Sequence, residues 1–370
     1  MRWIHRILLG TIALTAVIIG GQRDAAAYTN GAPDTMGSLG DSITQAANFD
    51  IGHFGNNPGY SWSTGTQASV QSLYLRILQG NPNISGKNFN YSVSGAKMTG
   101  LNGQAVNLNA TPGGVELVTI EMGGNDVCTS SEATMTAVAD YRAQFQTAMN
   151  TLTTGFPNRR IFVASVPDVY QLWAVLHTNQ NAVNWWNGVQ ICQSLLANPT
   201  SMAQLDVDRR ARVRQRNIDF NTQLAEICAL YPQCTFDNNA IFNGVFAAAD
   251  VSDLDYFHPS LQGQINLAAG AWAVYDVDDD GWPTMSEGTI GTDPLDNCRD
   301  NSTDNAWPAD ITNDGFVDTG DIGALTNDFG YAVPEAAPAR HNIAPDIPDG
   351  FIDTGDIGRM TNLFGQACGP

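Results

Sequence analysis

The stretch MGSLGDSITQ, residues 36–45, starts as an apolar run and ends in Gly-Asp-Ser with Ser42 as its serine. Gly, Asp and Ser are favoured in tight turns, so the stretch predicts a buried strand that runs into a turn. The turn has two interpretations. It is either a plain connection between a strand and a helix, or a support that holds Ser42 as a nucleophile. The rest of the sequence has to distinguish between them.

Strand-like runs alternate with helical patterns from residue 28 to residue 275. Besides residues 35–40, the predicted strands are 88–95, 115–124 and 159–167, and the predicted helices are 131–156, 206–231 and 260–275. This alternation predicts a mainly parallel sheet that helices cover on both faces. Sites in such sheets form at the carboxyl ends of the strands, which is where the Gly-Asp-Ser turn falls.

Residues 1–27 have the pattern of a secretory signal peptide. A basic start is followed by an apolar run and by small residues that suit cleavage after Ala27. A single membrane anchor is the alternative, but the run is short for a span of about 20 residues. We therefore expect a secreted protein, with attachment to a cell surface or scaffold as a further option.

Six cysteines follow the predicted leader. An even number in an exported chain predicts disulfides, although six cysteines allow about fifteen connectivities. Cys228 and Cys234 could close a short loop, and a Cys298–Cys368 bridge would tie the C-terminal region together. The chain after the leader is long enough for a large core and for more than one domain.

The formal net charge is −20, and 19 of the 37 acidic residues follow Tyr275, against three of the 17 basic ones. So acidic a tail repels nucleic acid and anionic membranes, and we expect no nucleic acid as a partner. The tail is either disordered and solvating or it binds cations. The change in composition predicts three segments after the leader: a main domain (28–275), an acidic linker (276–309) and a repeat module (310–370).

A nucleophilic serine needs a histidine base that a carboxylate orients. Of the four histidines after the leader, His258 stands in DLDYFHPS, three residues after Asp255. On a turn or a helical start this spacing points both side chains the same way. Asp255 would hold the imidazole while His258 accepts the proton of Ser42. His53 follows the Ser42 turn closely and is the alternative, as a residue at the rim of the site.

The reaction also needs hydrogen-bond donors for a developing oxyanion. EMGGNDVC offers Asn125 just after an apolar strand, and VSGAKM ends another strand with Gly95, whose N–H can donate. The N–H of Ser42 would be the third donor. Each motif alone is typical of a turn or a helix cap, but their occurrence together, in order and at strand ends, favours catalysis.

These four blocks resemble those of the SGNH or GDSL hydrolases: GDSIT with Ser42, VSGA with Gly95, GGND with Asn125, and DYFH with Asp255 and His258. The resemblance spans residues 34–275. It implies a flavodoxin-like three-layer α/β/α fold and hydrolysis of carboxylic esters through an acyl-enzyme, without a cofactor for catalysis. It also implies that Ser42 attacks, that His258 is base and then acid, and that Asp255 orients it.

Within that family the segments GGNDVC, VPDVYQLW and DYFHPS are similar to the secreted phospholipase B-like branch, which implies a lipid ester. An acylated carbohydrate is the alternative substrate. Trp173, Trp185 and Trp186 either line a groove for an acyl chain or sugar, or simply pack a pair of helices. The rival from another class is a non-catalytic extracellular adhesion or scaffold-associated binding protein with an inactive α/β domain.

The segment DVDDDGWPTMSE, residues 276–287, has the spacing of a calcium loop. Asp276, Asp278 and Asp280 take positions one, three and five, the Trp282 carbonyl position seven and Glu287 position twelve. The next residues, 291–298, are similar to thrombospondin type-3-like acidic repeats. The alternative is an acidic turn that water solvates.

GFVDTGDIGALTNDFG (315–330) returns as GFIDTGDIGRMTNLFG (350–365), an internal repeat with a period of 35 residues. The first copy predicts a second calcium loop; its ligands are Asp310, Thr312, Asp314, the Phe316 carbonyl, Asp318 and Asp321. The other copy is one residue short before its glycine, so Asp346, Asp349, Asp353 and Asp356 cannot all take equivalent places. Calcium at that copy stays open.

Residues 310–366 resemble a type I dockerin, in which two such loops are each followed by a short helix. The resemblance implies structural Ca²⁺ and a cohesin module as the partner, on a scaffold or cell surface. The alternative is a calcium-stiffened extension that binds no partner.

Overall fold

The computed structural model describes residues 31–301 and 303–368, so the predicted signal peptide lies outside the described residues. The first part of the described chain forms a sheet of five parallel strands in the order β2-β1-β3-β4-β5. The strands are β1 (Met36–Gly40), β2 (Asn88–Asn90), β3 (Leu117–Glu121), β4 (Arg160–Val163) and β5 (Cys234–Phe236). The predicted parallel α/β sheet is confirmed.

Helices connect the strands and cover both faces of the sheet. Up to the end of this domain they are α1 (Leu73–Gly80), α2 (Met98–Asn109), α3 (Gly124–Val127), α4 (Val138–Thr153), α5 (Val169–Leu176), α6 (Gln180–Val189), α7 (Gln193–Leu196), α8 (Gln204–Cys228), α9 (Ala240–Asn243) and α10 (Leu261–Val274). Three further helices follow in the C-terminal part: α11 (Thr284–Ile290), α12 (Thr319–Asn327) and α13 (Thr354–Leu363).

Two apolar clusters lie on opposite faces of the sheet because successive strand residues point to opposite sides. Leu39 and Ile120 pack with residues of α2, α4 and α8 in one cluster. Met36 and Leu117 pack with residues of α1 and α10 in the other. Helices, sheet and helices therefore form three layers.

The structure differs from the sequence prediction at the short elements. β5 was not predicted, since three residues are too few for a periodic pattern. The helix expected from residue 131 begins at Val138, because Glu132–Thr134 forms a separate 3₁₀ turn. The helices α1 and α2 were not predicted either.

Three disulfides join the six cysteines: Cys128–Cys192, Cys228–Cys234 and Cys298–Cys368. The last two are the pairs that the sequence suggested. The first was not predicted; it ties the chain just after α3 to the start of α7. No helix within residues 31–301 and 303–368 is long and apolar enough to cross a membrane.

The C-terminal part has a core of its own, which includes Trp282, Trp307 and Met360. Its two repeats pair with each other in a reciprocal way. Gly365 N–H donates to the Val317 carbonyl, and Gly330 N–H donates to the Ile352 carbonyl, each at 2.8 Å. Since each partner is shifted by 35 positions, the two copies are related by an approximate two-fold axis.

Candidate active site

Ser42 lies on a tight turn at the carboxyl end of β1. The turn is closed by hydrogen bonds from Ile43 N–H to Asp41 Oδ1 (2.9 Å) and from Ala47 N–H to the Ser42 carbonyl (3.0 Å). Glycine is required just before it: a Cβ on Gly40 would lie 2.5 Å from the Glu121 carbonyl oxygen of the neighbouring strand. The serine is 6% exposed. The sequence therefore places a nearly buried hydroxyl at the edge of the sheet.

Two buried glutamines hold this turn from opposite faces of the sheet. Gln104 of α2 bonds Gly40 twice, accepting from its N–H and donating to its carbonyl, both at 2.8 Å. Gln264 of α10 donates to the Ile43 carbonyl at 2.8 Å. Sequence reasoning missed both residues. Each is a polar residue on an otherwise apolar helix face, and this pattern can be recognised only when the buried face of the helix is known.

The structure brings Asp255 and His258 together. Asp255 Oδ2 lies 2.6 Å from His258 Nδ1, and Asn48 Nδ2 donates to the same carboxylate oxygen at 3.0 Å. Burial acts to raise the pKa of Asp255, but the hydrogen bond and charge of His258 outweigh it, so the pKa is lowered. Trp186 supports the loop from below, donating from Nε1 to the Tyr256 carbonyl at 2.8 Å. Asn48 was a further residue that the sequence did not reveal.

The other three histidines are engaged elsewhere. His53, the predicted alternative, stacks on Phe49 with ring centroids 4.4 Å apart. His177 stacks on Trp173, and His341 Nδ1 lies 2.7 Å from Asp328 in the C-terminal part. His258 is the histidine that lines the cavity beside Ser42.

That cavity joins the predicted catalytic groups. Ser42, Asn125 and His258 line one space of about 150 Å³ at the carboxyl ends of the strands. Asp255 lies behind His258, outside the wall, and Gly95 is on a neighbouring loop that does not line it. Within the described chain Ser42 Oγ makes no hydrogen bond, so the predicted bond from this hydroxyl to His258 is not formed in the structure, although both residues line the same cavity.

The three proposed oxyanion donors differ in whether they already donate a hydrogen bond within the protein. Within residues 31–301 and 303–368, neither the Ser42 N–H nor the Gly95 N–H makes a hydrogen bond, so both are available to a ligand. Asn125 Nδ2 instead donates to Asp41 Oδ2 and to the Ala96 carbonyl, each at 3.0 Å. These bonds fix the amide at the cavity, and one of them has to be exchanged or shared for Asn125 to reach an oxyanion.

Two buried carboxyl groups lie beneath the turn. Burial raises the pKa of Asp41 to about 6. Glu121 is also fully buried, both of its oxygens lack a partner among the described residues, and burial together with Asp41 raises its pKa well above the usual range. This pair is therefore predominantly protonated below pH 6.

The first acidic loop has the strongest features of a cation site. Oxygens of Asp276, Asp278 and Asp280 lie within 4.8 Å of one another. Glu287 on α11 and Asp278 are each 0% exposed, and both Asp278 oxygens and one Glu287 oxygen lack a partner in the described chain. Burial and the neighbouring carboxylates raise the pKa of Asp278 to about 10. Such a cluster fits a hard divalent cation, which would supply the missing partner for each oxygen.

The second predicted loop is closed by its own hydrogen bonds. Asp310 accepts from Asp314 N–H (2.9 Å) and Gly315 N–H (2.7 Å), and Asp321 accepts from Thr312 N–H (2.9 Å). The residues predicted as ligands thus lie in one loop, but they form no carboxylate triad of the kind seen at Asp276 within the described residues.

In the loop that precedes the second repeat copy, residues 350–365, the first loop position is not the residue that the sequence predicted. With its amide oriented to satisfy both of its atoms, Asn342 accepts from Gly350 N–H at 2.7 Å. This is the bond that Asp310 makes to Gly315 in the first copy. Asn342 therefore takes the first position of this loop, where alignment of the repeats suggested Asp346. The loop is longer than its counterpart instead of one residue short.

A second carboxylate triad, Asp296, Asp300 and Asp304, was not predicted as a cation site.

Of the three tryptophans proposed for a substrate groove, Trp173 and Trp186 are buried and pack the helices, and Trp185 is 41% exposed. The groove interpretation is therefore wrong for the first two.

Comparisons with known proteins give a family match and several similar solved structures. A family model described as GDSL-like Lipase/Acylhydrolase matches residues 37–271. Solved structures with a similar fold include an acetyl xylan esterase from Geobacillus stearothermophilus, at 16% identity over 65% of this chain and 93% of that one, TM-score 0.37. Another is a Clostridium thermocellum family 3 carbohydrate esterase, at 16% identity over 66% and 95%, TM-score 0.36.

No curated protein matches the chain. The family match covers more than half of the sequence and includes Ser42, Gly95, Asn125, Asp255 and His258. The protein thus belongs to the GDSL-like lipase/acylhydrolase family and is a carboxylic ester hydrolase.

Proposed function

We propose that the protein is a secreted serine hydrolase that cleaves carboxylic esters through an acyl-enzyme on Ser42. The observation that carries the proposal is the cavity that Ser42, Asn125 and His258 share, with His258 held by Asp255 at 2.6 Å. The three disulfides are consistent with an extracellular location.

In this mechanism Asp255 accepts the Nδ1–H of His258, which leaves Nε2 free to take the proton of Ser42. The serine oxygen attacks the ester carbonyl, and the N–H groups of Ser42 and Gly95 with the Asn125 amide stabilise the oxyanion. His258 then protonates the alcohol as it leaves. A water molecule, deprotonated by His258, releases the acid and restores the serine.

A fluorophosphonate probe tests the proposal because it reacts with an activated serine hydroxyl. We expect one probe per molecule in the wild type and none in Ser42→Ala. Ser130→Ala is the matched control, because Ser130 is exposed and lies outside the cavity. A folded wild type that neither reacts with the probe nor hydrolyses p-nitrophenyl acetate would favour the non-catalytic binding protein instead.

We also propose that Asp276, Asp278, Asp280, Glu287 and the Trp282 carbonyl hold a structural Ca²⁺. The buried oxygens without a partner support this site. Calcium at the second loop rests on weaker support, since among the described residues its carboxylates form no triad and none of their oxygens is buried without a partner.

We further propose that residues 310–368 act as a dockerin-like module toward a cohesin. The reciprocal pairing of the two repeats supports this proposal, as do four phenylalanines at equivalent repeat positions that are each more than half exposed, namely Phe316, Phe329, Phe351 and Phe364. Binding of the full chain to an immobilised cohesin in calcium, and its loss in EGTA, tests the module.

A further inference from the structure

Three helical segments form one wall of the cavity beside Ser42. Leu172 of α5, Ile241 of α9 and Leu267 of α10 supply its apolar side chains, and Phe246 and Phe257 add aromatic ones. Leu172 and Ile241 are buried and belong to the apolar clusters of the domain. This part of the wall is thus continuous with the protein core.

The polar residues of the wall are already satisfied by the protein. Asp168 accepts from Tyr170 N–H at 3.1 Å and from Arg214 Nε at 2.8 Å. Asp250 accepts from Ala247 N–H at 2.8 Å and from Asn266 Nδ2 at 2.9 Å.

Asn266 in turn accepts from Gln262 at 2.9 Å, so its amide is engaged on both atoms. A sugar hydroxyl that entered this wall would exchange water for mainly apolar side chains and for polar groups that already have protein partners, which is unfavourable. The wall therefore suits a hydrocarbon group.

The volume of the cavity sets the size of that group. About 150 Å³ is the size of an apolar cavity known to hold a benzene ring, that is, about six carbons. An acetyl methyl would leave most of this space unfilled. Gly270 contributes to the opening, because a Cβ there would lie 3.1 Å from Ile241 Cδ1.

We propose that this cavity is an acyl site for esters of apolar acids of about six carbons, and that acetyl esters are poor substrates. This inference rests on the proposed acyl-enzyme at Ser42. The acyl group stays attached to the serine until water releases it, so an apolar cavity next to Ser42 suits it. The alcohol has to leave past His258 and needs a path to solvent.

The test is kcat/KM for p-nitrophenyl acetate, butyrate, hexanoate and decanoate. Burial of each added methylene increases kcat/KM about fourfold. Over the four methylenes between acetate and hexanoate we expect a gain of about 200-fold, with no further gain for decanoate. Equal rates for acetate and hexanoate would overturn the proposal.

Leu267→Trp tests the wall itself. Its larger side chain fills the cavity, so we expect the hexanoate-to-acetate ratio to fall by about tenfold or more. Leu205→Trp is the matched control, since Leu205 is 78% exposed on α8 and lies away from the cavity. Should the tryptophan variant not fold, Leu267→Phe serves with the same expected direction, and an unchanged ratio in a folded variant contradicts the proposal.

A second series separates the two sides of the ester. Acetate esters of methanol, butanol and hexanol vary the alcohol alone, and we expect less than a threefold change along it. A steep rise with alcohol length would mean that the cavity receives the alcohol instead, and would overturn the acyl assignment. Absence of both hydrolysis and fluorophosphonate labelling is a different result, because it refutes the serine mechanism on which the inference rests.

Discussion

Asp255 Oδ2 lies 2.6 Å from His258 Nδ1, and Asn48 Nδ2 approaches the same oxygen at 3.0 Å. The carboxylate is therefore held from two sides, by the imidazole that it orients and by an amide from the turn that carries Ser42. The Asn48 bond links the Asp255–His258 loop directly to that turn. Ser252 Oγ also donates to the Asn48 carbonyl at 2.5 Å, so both the side chain and the backbone of Asn48 fix the position of the base relative to the nucleophile.

Asp255→Asn removes the charge that fixes the imidazole tautomer. We expect kcat for p-nitrophenyl butyrate to fall by about 10⁴-fold, because the amide can present an N–H to Nδ1 and reverse the tautomer. Asp253→Asn is the control, as Asp253 is exposed in the same loop. A loss of less than tenfold in Asp255→Asn would mean that His258 is not oriented by this residue.

Asn125→Ala tests the oxyanion site. Removal of one donor is expected to lower kcat by about 10²–10³-fold while KM changes little, since the donor acts mainly in the transition state. Steady-state kinetics separate the two constants. Stoichiometric but slower labelling by a fluorophosphonate would show that Ser42 remains competent. If KM rises and kcat stays constant, Asn125 binds substrate and does not stabilise the oxyanion.

The sequence predicted those parts of the fold and site whose signals are local. β1 and β3 were recognisable because each lies in an apolar run that ends at a glycine-containing turn. Asp255 was assignable because it lies three residues before His258. Gln104, Gln264 and Asn48 were not, because their contacts join residues 64, 221 and 207 positions apart. No local pattern encodes such contacts.

The first position of the acidic loop before Gly350 is another feature that the sequence pattern did not predict. Repeat identity is strong from Gly350 onward, and it gives no information on the residues before it. Extra residues there move the first position of the loop from Asp346 to Asn342, which only the hydrogen bond to Gly350 reveals.

Asp41→Asn is expected to stabilise the fold at neutral pH. Burial raises the pKa of Asp41 from 3.8 to about 6, so the folded state holds its proton more tightly than the unfolded state does. The favourable contribution of the neutral carboxyl is complete below pH 3.8 and is lost as pH rises through 6. Above that pH the ionised group costs about 3 kcal/mol.

Urea denaturation at pH 4 and pH 7.5 measures this effect. The asparagine variant should gain up to about 3 kcal/mol over the wild type at pH 7.5 and almost nothing at pH 4. Its amide oxygen can still accept from Asn125, so that contact is kept. A gain of equal size at both pH values would show that the carboxyl is not desolvated in the way the structure indicates.

Calcium is expected to stabilise the full-length protein through the first acidic loop. A ligand that binds only the folded state at 100 times its Kd adds about 2.7 kcal/mol, which raises Tm by about 4 °C when the full-length protein unfolds as one unit. Calorimetry in calcium and in EGTA measures the shift. If calcium neither shifts Tm nor gives a heat of binding, the assignment of a calcium site to the first acidic loop is wrong.

The double variant Asp278→Asn, Glu287→Gln distinguishes calcium binding from a general salt effect, because the order of the Tm values of variant and wild type should differ between EGTA and calcium. Without calcium, the wild type has buried carboxyl groups that lack partners, and at neutral pH the fold has to keep Asp278 protonated, which costs free energy. Their neutral replacements should therefore raise Tm above that of the wild type in EGTA. In calcium the order should reverse, because the variant has lost two of the ligand carboxylates. Asp300→Asn, in the other triad, should leave the calcium shift unchanged, and a loss of the shift in that variant alone would move the site to Asp296, Asp300 and Asp304.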